Sequence, residues 1–156
     1  MTAVRLAHSW RVDAAPGTVF AHLSDPYSYL GLSPLLVEVR DVRPGADEQG
    51  PLTDYVAVER FRFLGVLRWD NPIRVRMCAT APGLVRQSVV SPGGVRLEST
   101  VRLTPDGEGT LVDEELSLTA AAPLRRFAAG QARSVQLHRA AELTRRMAGP
   151  GHTMAA

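Results

Sequence analysis

Lysine is missing from this chain: all 18 basic side chains counted as Lys or Arg are arginine. That absence excludes Schiff-base chemistry on an internal lysine and any phosphate loop that needs one. Cys78 is the single cysteine, so neither an internal disulfide framework nor a thiolate metal cluster can form. The four histidines, His8, His22, His138 and His152, are scattered without metal-ligand spacing, and no metal site is expected. No apolar run approaches the roughly 20 residues of a membrane span, so no integral membrane segment is expected. The start, Met1 to Arg5, lacks the apolar stretch of a signal peptide, which makes the cytoplasm the expected compartment. Glycine-rich phosphate loops, H-E-x-x-H, G-x-S-x-G and paired C-x-x-C motifs are all absent, and no cofactor is implied. The pI of 9.2 does not point to nucleic acid. Arg60, Arg62, Arg68, Arg74, Arg76, Arg96 and Arg102 are interleaved with acids and apolar residues, with no basic run or stacking motif beside them.

What is present is a chain of 156 residues, 45% hydrophobic and 22% charged, enough for one core without staples. Residues 1–148 are expected to form a single domain and 149–156, with Gly149-Pro150-Gly151, a flexible C-terminal tail. Val4 to Val12 alternates as a half-buried strand. Asp13-Ala14-Ala15-Pro16 starts a short helix through Leu23. Ser24-Asp25-Pro26 breaks it and opens a second short piece through Leu30. Strands follow at Leu36 to Val42, Leu52 to Phe63, Val66 to Ala81, Leu84 to Val90, Val95 to Leu103 and Thr110 to Leu118. The joints carry Gly and Pro, as tight hairpins require, and Pro44 to Pro51 reads as a hairpin loop. Ala120 to Pro123 crosses over to a long helix ending at Met147.

This order predicts an α+β protein: a seven-stranded antiparallel sheet curved around a long C-terminal helix, with two short helices after the first strand. A sheet that wraps one helix leaves a hollow between them, suited to an apolar small molecule. Alternation assigns the lining. Trp69, Asn71, Ile73, Val75 and Met77 face inward on one strand, against Arg68, Asp70, Arg74 and Arg76 outward. Ser99 and Glu114 face inward on two others. From Leu52 to Phe63 the parity is ambiguous, Tyr55, Ala57, Glu59, Phe61 and Phe63 alternating with Asp54, Val56, Val58, Arg60 and Arg62; the aromatic set is taken inward, which brings Glu59 with it unless a bulge shifts the register. On the last helix, Leu124, Phe127, Gln131, Ser134, Val135, His138 and Ala141 recur at helical spacing. The candidate ligand-binding set is therefore Trp10, Tyr55, Phe61, Trp69, Asn71, Met77, Ser99, Glu114, Phe127 and Gln131. A few polar groups in an apolar hollow is the usual composition of a small-molecule site.

Each of these also has a structural reading. Trp10 and Trp69 suit a core, His8 and His138 suit hydrogen-bonded rim positions, and Asn71 before Pro72 suits a strand kink. Glu59 and Glu114 suit ion pairs with arginines of neighbouring strands, since a buried unpaired carboxylate is costly.

Four segments carry a family resemblance: Val12-Asp13-Ala14-Ala15-Pro16-Gly17-Thr18-Val19-Phe20 with Leu23-Ser24-Asp25-Pro26; Ser91-Pro92-Gly93-Gly94-Val95; Gly109-Thr110-Leu111-Val112 with Glu114; and Ala122-Pro123-Leu124 with the closing helix. Over Val4 to Met147 the chain resembles the START-like, or SRPBCC, superfamily with the helix-grip fold, in its polyketide cyclase/dehydrase and lipid-transport branch. The resemblance implies two uses of the hollow. One is to hold a hydrophobic ligand of polyketide, lipid or isoprenoid type. The other is cofactor-independent aromatase/cyclase or dehydrase chemistry, in which the cavity folds a poly-β-ketone and side chains move protons. For that second use His138 and Glu59 are the candidate catalytic groups, with Tyr55 and Asn71 orienting carbonyls. Cyclases of this family rely on arginine with tyrosine or histidine deep in the pocket, whereas the strand arginines here alternate outward. A hollow filled by side chains, serving a protein partner, is a third outcome. A monomer or homodimer is expected.

Overall fold

The alternation that separates arginines from apolar residues is realised as one twisted sheet in a computed structural model, which describes residues 3–63 and 65–148. The elements are β1 (Val4–Val12), α1 (Pro16–Leu23), a 3-10 turn (Pro26–Ser28), α2 (Tyr29–Leu32), β2 (Leu36–Asp47), β3 (Gly50–Phe63), β4 (Leu67–Thr80), β5 (Leu84–Val90), β6 (Arg96–Asp106), β7 (Gly109–Thr119) and α3 (Ala122–Met147). All seven strands pair antiparallel in the order β1-β7-β6-β5-β4-β3-β2. The predicted α+β helix-grip architecture is the one observed. The predicted tail, 149–156, lies outside the described residues.

One boundary moved for a physical reason. The expected loop from Pro44 is strand: β2 runs to Asp47, and Pro44 pairs opposite Thr53. Because β2 is an edge strand, a proline there forfeits no hydrogen bond to a further neighbour. Pro72 is tolerated on the same grounds. Its β3 side keeps unbroken register with Val58, while pairing to β5 begins only at Arg74. β4 therefore passes Asn71 without a register shift.

One end of the sheet is closed by an apolar core. α1 packs across β5, β6 and β7, and Val19 and Leu23 are buried with Val12, Leu32, Val85, Leu103 and Leu143. Burying each such side chain contributes about 1.5–3 kcal/mol. Met77 belongs here, at 2% exposure, and not to the cavity wall where its strand parity suggested. β4 extends past the hollow into this core, so parity gives its face but not its depth.

The segment after α1 is pinned rather than helical. Leu30 is extended (ψ 116°) and Gly31 left-handed (φ 90°). Arg146 near the end of α3 donates from Nη1 to the Ser28 carbonyl (2.6 Å) and from Nη2 to that of Leu30 (2.8 Å). A Cβ on Gly31 would lie 2.7 Å from Arg146 Nη2, so both the positive φ and the close approach call for glycine.

Candidate functional site

Between the concave face of the sheet and α3 lies a cavity of about 290 Å³, near the lower end of small-molecule sites. The β3–β4 register describes its wall as a ladder of facing pairs: Tyr55 with Val75, Ala57 with Ile73, Glu59 with Asn71, and Phe61 with Trp69. Along it the environment changes from closed to open. Tyr55 is 4% exposed, whereas Trp69 is 55% exposed. At about 3.3 Å per residue, Tyr55 and Glu59 stand roughly 13 Å apart along the strand. The cavity thus has a floor near Tyr55 and a mouth near Trp69.

The floor is polar, and its centre is an ion pair the strand pattern did not reveal. Glu114 of β7, 1% exposed, accepts from Arg139 Nη1 of α3 at 2.6 Å. Burial works against the charge on Arg139, but the Glu114 carboxylate beside it outweighs that and holds the guanidinium charged. Burial, then the neighbouring Tyr55, pushes the Tyr29 phenol well above its usual range. Burial does the same to Tyr55. Both tyrosines are therefore neutral donors at ordinary pH. The hydroxyl of Tyr29 is already committed to the Leu23 carbonyl at 2.7 Å. Glu114 Oε1, Arg139 Nε and Trp10 Nε1 are buried without a hydrogen-bond partner among the described residues, and all three residues line the cavity. One acceptor and two donors left open in an apolar chamber are costly unless something binds there.

A second polar group sits higher on the ladder. Asn71 Nδ2 donates to Glu59 Oε1 (3.4 Å) and to Ser91 Oγ in the β5–β6 turn (3.2 Å). Burial raises the Glu59 pKa, and the Asn71 hydrogen bond opposes that only in part. The expected partner, a strand arginine, is not used: Arg60 points to the other face and pairs with Asp70 at 2.8 Å. Ser99 and Gln131 also line the cavity, as do Phe61, Trp69 and Phe127 at its mouth. Phe61 and Trp69 stack with ring centroids 5.5 Å apart.

The helix face differs from the expected one. Leu124, Phe127, Ala128, Gln131, Ala132, Val135 and Arg139 face the cavity, while Ser134, His138 and Ala141 are exposed. His138 is therefore corrected from cavity to surface. Its Nε2 lies 3.0 Å from the Gly31 carbonyl, holding the pinned segment. Positions 138 and 139 straddle the edge of the apolar stripe, 100° apart on the helix, and the buried Glu114 selects the arginine. Among the described residues no cluster of three His, Cys, Asp or Glu side chains could hold a metal.

A curved antiparallel sheet gripping one long helix around an apolar chamber with a polar floor defines a ligand-cavity class of protein. The family model described as "Polyketide cyclase / dehydrase and lipid transport" matches residues 3–148, and the chain belongs to that family. Solved structures share the fold at low identity. The Zhui aromatase/cyclase from Streptomyces sp. R1128 superposes with a TM-score of 0.72 at 14% identity, covering 92% of each chain. A START superfamily protein from Mycobacterium smegmatis gives 0.66 at 14% identity, over 90% of this chain and 96% of that one. The di-domain aromatase/cyclase StfQ of the steffimycin biosynthetic pathway gives 0.70 at 10% identity, over 94% of this chain and 51% of that one. No curated protein sequence matches the chain.

Proposed function

We propose that this protein binds an apolar small molecule carrying oxygen functions, of polyketide, lipid or isoprenoid type, with its polar end on the cavity floor. The observation that carries this reading is that, of the five unpartnered buried side-chain atoms among the described residues, two being Arg125 Nε and Gln136 Nε2, the other three, Glu114 Oε1, Arg139 Nε and Trp10 Nε1, belong to residues lining the cavity. A purely apolar ligand would leave them unpaired. A carbonyl can accept from Arg139 or Trp10, and a hydroxyl can donate to Glu114. The apolar ladder above encloses the remainder. Native mass spectrometry of protein purified from its own host, comparing wild type with Glu114→Gln and Trp10→Phe, tests this. A retained small molecule, lost or weakened in both variants, is the expected result. A wild-type protein that carries nothing and takes up no hydrophobic ligand in solution sinks the proposal.

A second reading, cyclase or dehydrase chemistry, is favoured by the grouping of Arg139, Glu114 and two neutral tyrosines around one floor. In it the fixed charge of Arg139 stabilises an enolate oxygen. Glu114 takes one proton from the methylene carbon between two carbonyls, and Tyr55 protonates the new alkoxide after ring closure. Loss of water then moves the remaining proton of that carbon to the Tyr55 phenolate while Glu114, in its protonated form, gives its proton to the departing hydroxyl, so that both groups return to their starting states. Glu59, roughly 13 Å up the wall, sits where a longer substrate's second carbonyl would lie. Tyr55→Phe separates the readings. An enzyme loses turnover while still binding substrate, whereas a binder loses only the affinity of one hydrogen bond.

A further inference from the structure

On the segments that carry the exposed mouth residues Trp69, Leu124 and Phe127 stand Arg62, Arg68, Arg125 and Arg126, while the nearby Asp70 is already paired with Arg60. Arg62 and Arg68 stand directly opposite each other on β3 and β4, a like-charge arrangement that destabilises a sheet. Arg125 and Arg126 occupy the first turns of α3, which has no acid in its first turn, where the helix dipole disfavours cations. None of these four makes an ion pair with a described residue. The fold thus accepts charge at two places where its own energetics oppose it.

The same rim is apolar at its tip. The β3–β4 hairpin reads Arg62-Phe63-Leu64-Gly65-Val66-Leu67-Arg68, where a turn ordinarily carries polar residues. Val66 is 85% exposed and Leu67 59%. Trp69, Phe127 and Leu124 are also exposed and line the cavity. Protruding apolar side chains bracketed by arginines suit a bilayer interface, with the apolar groups among the acyl chains and the guanidinium groups at the phosphates. A protein partner would instead be met by a packed apolar patch inside a polar rim.

We infer that the mouth docks on an anionic phospholipid surface, with Val66 and Leu67 inserted and Arg62, Arg68, Arg125 and Arg126 on the headgroups. The cavity then opens directly onto the membrane, and an apolar ligand passes without crossing water. This goes beyond the ligand reading and survives its failure, because docking is measured without any ligand.

Flotation with vesicles of phosphatidylcholine alone, or with about 30% phosphatidylglycerol, tests it. Wild type is expected to float with the anionic vesicles only, and to be released at high salt. Arg62→Gln/Arg68→Gln should weaken binding about 10- to 30-fold, from about fivefold per arginine. Val66→Asp/Leu67→Asp should abolish it. The charge-matched Arg43→Gln/Arg102→Gln, on exposed positions of the closed half, should bind as wild type. Circular dichroism melting of each variant reports whether it is folded. In Trp10→Phe, the remaining Trp69 should shift to the blue on anionic vesicles. Absence of flotation by wild type, or equal losses in the control pair, overturns the inference. So does a vesicle-free dimer that Val66→Asp/Leu67→Asp dissociates, which makes the rim a self-interface. Rim-dependent binding to a purified acidic acyl carrier protein, with no vesicle binding, overturns it in favour of a protein partner.

Discussion

Glu114 and Arg139 meet at 2.6 Å across the gap between the sheet and its covering helix, with the carboxylate 1% exposed. No backbone pairing joins β7 to α3, so this contact, together with those of His138 and Arg146 to the pinned segment, sets the rotation of the helix by side-chain chemistry. Had the helix turned to present His138, a buried carboxylate would face no cation.

That relationship has a thermodynamic signature. Removing one member of a buried pair leaves the other charge desolvated, and Arg139→Leu should lower unfolding stability by about 3–5 kcal/mol. Glu114→Leu/Arg139→Leu, which removes both charges, should recover most of that loss. Urea denaturation of the singles and the double gives the coupling directly. Equal destabilisation in the double and in Arg139→Leu would show that the pair is not held as described.

Glu59 predicts a pH dependence of opposite sense to the common carboxylate. Its folded pKa is raised, chiefly by burial, so the folded state holds the proton more tightly than the unfolded chain. Its contribution to stability is greatest below the unfolded value and is lost as pH rises from there through the folded pKa. Glu59→Gln should therefore be more stable than wild type at neutral pH, with the difference vanishing at low pH. The Asn71 hydrogen bond works against the rise, so Asn71→Ala should raise the Glu59 pKa further. Thermal melts from acid to neutral pH, with carbon-13 titration of the Glu59 carboxyl, check both signs.

Much of the site was legible because strands repeat every two residues. The inward parity of β4 and β6 follows from setting arginines apart from apolar residues, that of β3 from its aromatic set and that of β7 from its apolar one, and together they place Tyr55, Glu59, Phe61, Trp69, Asn71, Ser99 and Glu114 on the cavity wall. Depth was not legible, as Met77 shows, because alternation says nothing about where a hollow ends. The floor arginine was hidden for a different reason. A 3.6-residue period lets both His138 and Arg139 border one stripe, and only the tertiary demand of Glu114 decides between them. Pro44 misled because a proline reads as a turn unless its strand is known to lie at an edge.

His22 is tied to the far end of α3. Arg146 Nη1 lies 3.2 Å from His22 Nε2, and a guanidinium can only donate. Nε2 must therefore be the unprotonated nitrogen, which leaves Nδ1–H to face Ser28 Oγ at 3.5 Å. Burial, then Arg146, lowers the His22 pKa. The folded state thus binds fewer protons, and stability should rise with pH from the folded pKa to the unfolded value near 6.5. Nitrogen-15 shifts should report the Nδ1–H tautomer at neutral pH. His22→Gln should flatten the acid limb of the stability profile. An unchanged limb in that variant would place its origin elsewhere.

The cavity itself separates binding from folding. Ala128 and Ala132 face it from α3, and leucine is nearly as good a helix former as alanine. Ala128→Leu/Ala132→Leu would project apolar volume into space that no described side chain occupies. Ordinary overpacking costs about 1–3 kcal/mol. Filling a true void instead stabilises by about 0.5–2 kcal/mol, so the sign of the change distinguishes an open chamber from a collapsed core. Raised stability together with at least tenfold weaker uptake of a hydrophobic probe such as 8-anilinonaphthalene-1-sulfonate is the expected pair of results. Reduced stability with unchanged uptake would mean that the probe binds elsewhere and that the space under α3 is not available to a ligand. The floor pair lies beyond these positions, so Glu114 and Arg139 should remain joined in the filled variant. Its Arg139→Leu derivative should then lose as much stability as Arg139→Leu does in the parent.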